Sequence, residues 1–227
     1  MPTVRELALS TLRPERREKL LRVLAQRLGA VRLVVENLHD PHNASAVLRS
    51  CEAFGVQHVH AVEAAEAFTH SRRITLGAHK WLTLRRHETF AECAAELRDQ
   101  GFRIYAALLD PGAVSLHEIP IDRPVALVLG NEKAGVSPEA RILCDGAYTI
   151  PMAGFSQSLN ISVAAAISLY DLTRRVRTER PDGGLLTERE RDALLEVWLP
   201  KSARAAGRLA RLVRDKARPS SRVEPRS

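Results

Sequence analysis

A chain of 227 residues with 45% hydrophobic content is long enough for one core domain of about 150 residues plus appendages, while the absence of any apolar run near ~18 residues argues against a membrane span. The net charge of +7 is unevenly spread: residues 1–35 carry 8 Lys/Arg against 3 acids and residues 199–227 carry 9 against 2, so the basic ends suit a polyanion. Three scattered cysteines, Cys51, Cys93 and Cys144, match neither a disulfide framework nor a C-x-x-C metal spacing, and a polar start (MPTVRELALS) lacks a secretory signal, so a soluble cytoplasmic protein is expected.

In chain order, a helical pattern over 14–28 precedes an apolar run at 31–38 (VRLVVENL) and a helix over 43–54. Runs at 58–63, 81–86, 102–109, 125–130 and 147–152 then alternate with helical patterns at 89–100, 137–144 and 158–177. That alternation predicts an α/β fold with a mostly parallel sheet flanked by helices. Arg180-Pro181-Asp182-Gly183-Gly184 breaks the long helix, and basic helices follow at 187–198 and 202–217. The expected organisation is a basic helical extension over 1–30, a core domain over 31–178, a second basic extension over 179–218 and a disordered tail over 219–227.

Three stretches concentrate polar groups at strand-to-helix turns, where open α/β sheets place ligand sites. In the first, NLHDPHNASAVLRSCEAFG, Asn43 is a candidate N-cap and Gly55 a C-cap. A helix over 44–54 then puts Ala44, Val47, Leu48 and Cys51 on one stripe and Arg49 on the other side. In the second, LVLGNEKAGVSPE, Gly130 permits close backbone approach and Ser137-Pro138 opens a helix. In the third, IPMAGFSQSLNISVAAAISLYDL, Ser156 or Ser158 caps a helix whose buried stripe is Leu159, Val163, Ile167 and Tyr170. One cap needs one side chain, so Ser156, Gln157, Ser158 and Asn160 together exceed what capping requires. Neither a P-loop nor G-x-G-x-x-G occurs, which argues against P-loop hydrolysis, NAD-linked oxidoreduction and an ordinary Rossmann-type cofactor loop. His39, His42, His58 and His60 form no recognisable ligand spacing, so no metal is expected.

Together these stretches resemble the SPOUT class of RNA methyltransferases and, within it, the TrmH (SpoU) family of ribose 2′-O-methyltransferases. The branch that methylates guanosine 18 in the tRNA D-loop is the most similar, through HDPHNASAVLRSCEAFG, GAHKWLTLRRH, GNEKAGV and GFSQSLNISVA. The resemblance implies a deep carboxy-terminal trefoil knot, S-adenosylmethionine as cofactor, tRNA as partner and a homodimer. It also implies that Ala107, Gly130, Ile150, Met152 and Leu159 touch the cofactor, and that Arg49, Asn43, Ser158, Asn160 and Glu132 form the catalytic set. Arg49 is implied as the group that activates the ribose hydroxyl. A free guanidinium, with a pKa above about 12, is a poor base, so stabilising the developing alkoxide is the role that its chemistry favours. Asn43 is implied to orient Arg49 or the ribose. The basic ends, with Arg85, Arg86 and His87 beside Trp81, are expected to grip the tRNA. Asp40, where tRNA-branch relatives commonly carry Lys, and Asn131 and Phe155 depart from the usual pattern. The alternatives are the same chemistry on 23S rRNA or another tRNA site, and a non-catalytic RNA-binding protein of the same fold. Against an rRNA enzyme, about thirty residues before the first strand leave no room for the separate RNA-binding domain that such members often carry.

Overall fold

The computed structural model of the chain describes residues 9–63 and 77–216. It divides into two compact units, one spanning residues 25–187 and the other formed by the described residues before 25 and after 187. In the second unit, Leu20 and Leu24 of α1 (Pro14–Ala25) are buried, as are Leu194, Leu195, Trp198 and Leu199 of α6 (Glu188–Lys216). The two helices expected at 187–198 and 202–217 are one continuous helix. Pro200 lies within it, removing one backbone donor without ending it. The tail expected to be disordered at 219–227 lies outside the described residues.

The first unit holds a seven-stranded sheet built from β1 (Leu28–Glu36), β2 (Val56–Val62), β3 (Thr83–His87), β4 (Arg103–Ala107), β5 (Val114–Ser115), β6 (Val125–Leu129) and β7 (Gly146–Thr149). Strand order is β3-β2-β1-β6-β4-β7-β5, and every neighbouring pair is parallel. Parallel strands with helices on both faces bury both sides, which is why VRLVV and VALVL are nearly continuous apolar runs. Along β1, Val31, Leu33 and Val35 enter the cluster shared with α2 (Pro41–Phe54) and α5 (Ile161–Glu179), while Val34 faces α3 (Phe90–Asp99) and α4 (Pro138–Leu143). On that second face Arg32 lies 4.6 Å over the Phe102 ring, and a Glu36 carboxylate oxygen accepts the Ser137 N–H at 2.8 Å, tying β1 to the start of α4.

Two helix starts differ from expectation. The N-cap of α2 is Asp40, whose carboxylate accepts the His42 N–H at 2.8 Å, with Pro41 in the first turn. Asn43 is therefore already helical and its amide is free for other partners. Gly55 closes α2 at φ 82°, as its placement predicts. The N-cap of α5 is Asn160, not Ser156 or Ser158, and its Oδ1 accepts the Ser162 N–H at 2.9 Å.

The expected buried stripe of α5 is also overturned. Ile161, Ala165, Ser168, Leu169, Leu172 and Val176 face the core, whereas Val163, Ile167 and Tyr170 are 45%, 38% and 59% exposed. The apolar residues of this helix occupy two faces. The one carrying Ile161, Ala165, Leu169, Leu172 and Val176 packs into the core shared with α2 and the sheet.

Candidate active site

The carboxyl ends of β4, β6 and β7 and the start of α5 enclose a cavity of about 630 Å³. Ala107, Gly130, Glu132, Ile150, Met152, Ser158, Leu159 and Asn160 all line it, together with Gln157 and Lys133. A second cavity of about 820 Å³ opens where β1 meets β6, lined by Asn37, His39, Asp40, Asn43 and the 131–138 segment. Strand order reverses at that point, since β2 lies on one side of β1 and the later β6 on the other.

Asn131, Glu132, Lys133, Ala134, Gly135 and Asn160 belong to both cavities and form the wall between them. Asn43 Nδ2 donates to Glu132 Oε1 at 3.0 Å, and Asn160 Nδ2 donates to Asn43 Oδ1 at 3.2 Å. The Asn160 Oδ1 is in turn taken by the Ser162 N–H and hydroxyl. Three residues from three sequence stretches thus form one hydrogen-bonded bridge. Asn43 could join it because Asp40 performs the capping.

The wall segment is a closed turn. Asn131 and Gly135 exchange two backbone hydrogen bonds of 2.9 Å each. A Cβ on Gly130 would stand 2.1 Å from the Gly135 carbonyl carbon, so the residue must be glycine. Asn131 holds the turn from inside, accepting the Lys133 and Ala134 N–H groups and donating to the Asn37 carbonyl at 2.7 Å. Sequence reading missed this hub. The signal lay in an Asx-type turn within Asn131-Glu132-Lys133-Ala134-Gly135.

Arg49 stands apart. It is exposed on α2 and lines neither cavity. Six residues separate it from Asn43, roughly 9 Å along the helix axis and on a different face of the helix.

Elsewhere, His87 is not free to meet a polyanion. His60 Nδ1 and His87 Nε2 lie 2.9 Å apart, with ring centroids at 5.2 Å and planes 9° from parallel. Rings that meet head-on in this way share one N–H···N bond. Arg32, which can only donate, lies 3.5 Å from His60 Nε2, so the shared proton belongs to His60 Nδ1. Burial and the Arg32 cation lower both His58 and His60 to about 3 and keep them neutral. The Cys93 sulfur lies within 4.8 Å of a ring nitrogen of each of His60 and His87. Burial raises Cys51, Cys93 and Cys144 to about 12, which makes them inert thiols. Of the other expected RNA contacts, Arg85 pairs with Glu96, and Arg86 lies 3.9 Å from Glu63.

The SpoU rRNA Methylase family matches residues 30–170, which span every residue of the two cavities and the bridge. The tRNA (guanosine(18)-2′-O)-methyltransferase of Thermus thermophilus is 40% identical over 187 residues, covering 82% of this chain and 96% of that protein. Among solved structures, the Aquifex aeolicus TrmH/SpoU tRNA modifying enzyme aligns with a TM-score of 0.73 at 33% identity, over 88% of this chain and 98% of that one. The SpoU methyltransferase AviRb from Streptomyces viridochromogenes, solved in complex with AdoMet, aligns with a TM-score of 0.60 at 25% identity, over 68% and 64%. With the parallel α/β sheet and the bridged cavities inside the matched span, the chain belongs to the SpoU methylase family.

Proposed function

We propose that this chain transfers a methyl group from S-adenosylmethionine to the ribose 2′-hydroxyl of guanosine 18 in the tRNA D-loop, acting as a cytoplasmic homodimer. The observation that carries the reading is the bridge of Glu132, Asn43 and Asn160 between two adjoining cavities, one for a cofactor and one for a nucleotide. The name of the Thermus relative supports the substrate.

The first cavity fits S-adenosylmethionine in size and chemistry. Its volume lies in the range of small-molecule sites, and Ala107, Ile150, Met152 and Leu159 offer apolar walls to an adenine ring. Gly130, buried and without a side chain, lets the wall turn close on itself at the cavity's edge. When bound, the cofactor supplies a methyl group activated by its sulfonium charge. The chain's own residues orient the acceptor: Ser158 and Asn160 present polar groups to the cavity, and Glu132 fixes Asn43 at its border. Fixed positioning of this kind lowers the barrier by removing the need to order the groups during reaction.

Arg49 lines neither cavity of its own chain, so the guanidinium that steadies the developing alkoxide comes from a second copy. The exposed stripe of Val163, Ile167 and Tyr170 supports that assembly, since a contiguous apolar helix face suits burial against a partner. The knot implied by the family resemblance threads the carboxy-terminal part of the sheet unit, and the basic extensions before residue 31 and after residue 178 hold the tRNA.

Incubating unmodified tRNA transcript with labelled S-adenosylmethionine and mapping the modified nucleotide tests the reading. Label at guanosine 18, lost in Arg49→Ala while cofactor binding persists, is expected. Label at another nucleotide moves the same chemistry to a different RNA site. RNA binding without label makes the chain a non-catalytic binder.

A further inference from the structure

Glu132 is an exposed carboxylate on an exposed stretch of chain, yet it must meet Asn43 at the boundary of two cavities. No buried side chain of its own holds it there. The constraint comes from the residue before it. Asn131 makes five hydrogen bonds: two backbone bonds with Gly135, two accepted by Oδ1 from the Lys133 and Ala134 N–H groups at 2.8 and 3.0 Å, and one donated by Nδ2 to the Asn37 carbonyl at 2.7 Å. Asn37 itself sits at φ 51°, in the left-handed region that asparagine tolerates, and donates its N–H to the Val62 carbonyl. Asn131 therefore fastens the wall turn, which follows β6, to the end of β1, the strand that leads into the helix carrying Asn43.

We propose that Asn131 is a positioning residue for the methyl transfer: it fixes the turn against Asn37 so that the Glu132 carboxylate engages Asn43. This role rests on the function proposed above. Only an amide of this length supplies both halves of the link. Aspartate keeps the two accepted bonds but sets an oxygen against the Asn37 carbonyl. Alanine loses all three side-chain bonds, and glutamine shifts them by one methylene.

The test is a double-mutant cycle of Asn131→Ala and Glu132→Ala, with kcat and KM measured on unmodified tRNA transcript and hydrogen exchange followed at the Lys133 and Ala134 amides. If Asn131 acts through Glu132, the double variant is no slower than Glu132→Ala alone. The expected loss in kcat for Asn131→Ala is about 10- to 100-fold, the scale of a misplacement near 1 Å, with KM for tRNA within about two-fold of wild type. The two amides exchange faster in Asn131→Ala and stay protected in Asn131→Asp, whose kcat falls between the two. A fully active Asn131→Ala, losses that multiply in the double variant, or unchanged exchange at both amides overturns the proposal. If the wild-type protein transfers no methyl group, the function fails and this role with it. The exchange data then show separately whether Asn131 holds the turn.

Discussion

Gly130 and Asn131 divide the labour of one turn, since the first lets the backbone fold onto itself and the second pins the fold in place. A methyl group at Gly130 would lie 2.1 and 2.2 Å from the Gly135 carbonyl atoms, which are backbone and cannot swing aside. Gly130→Ala is therefore expected to open the turn and weaken S-adenosylmethionine binding by at least about 100-fold, equivalent to some 2.7 kcal/mol, as read by titration calorimetry. Residue identity at Gly130 was legible from its place after an apolar strand. The partners of Asn43 were not, because Glu132 and Asn160 lie 89 and 117 residues away and no local pattern reports a contact at that separation. Local capping chemistry even favoured the wrong role for Asn43, because Asp40 and Asn43 both have side chains suited to an N-cap.

Among the elements, α5 sets the most instructive limit on reading a helix from its sequence. Val163, Ile167 and Tyr170 have the spacing of a core face, and so do Ile161, Ala165, Leu169 and Leu172. Periodicity alone cannot choose between two apolar faces of one helix. The strands were easier, since parallel strands buried on both sides read as unbroken apolar runs. The edge strands depart from this: β3 (TLRRH) is half-exposed and polar, and β5, Val114 and Ser115 alone, is too short to form a pattern. If the outer face of α5 joins two copies, Ile167→Glu buries a charge at the contact. Sedimentation should then show monomers, and methyl transfer should fall to background even though both cavities in each chain are unaltered.

For the molecule as a whole, the two most strongly depressed histidines, His58 and His60, couple stability to acidity. His58 and His60 take up protons near pH 6.5 when unfolded but only near pH 3 when folded, so the unfolded chain binds more protons between those values. Stability accordingly rises with pH through that window and is lost as pH falls below about 6.5. The thermal midpoint should drop between pH 7 and pH 5, and His60→Gln should make that decline shallower. The wider basic character, +7 with both ends positive, was open to view in the composition. The pairing of Arg85 with Glu96 and of His87 with His60 was not, and it ties two of the expected tRNA-gripping groups into the protein's own network.

The central slot of β6 also bears on how the chain matures. β1, β2 and β3 come from residues 28–87 and can associate as soon as they leave the ribosome, but β4 has no place beside them until residues 125–129 arrive to separate it from β1. Half the sheet must therefore wait, with open edges, for a strand made later. Topologies built on such distant pairings fold slowly, so newly made chains should depend on protection from aggregation during that interval.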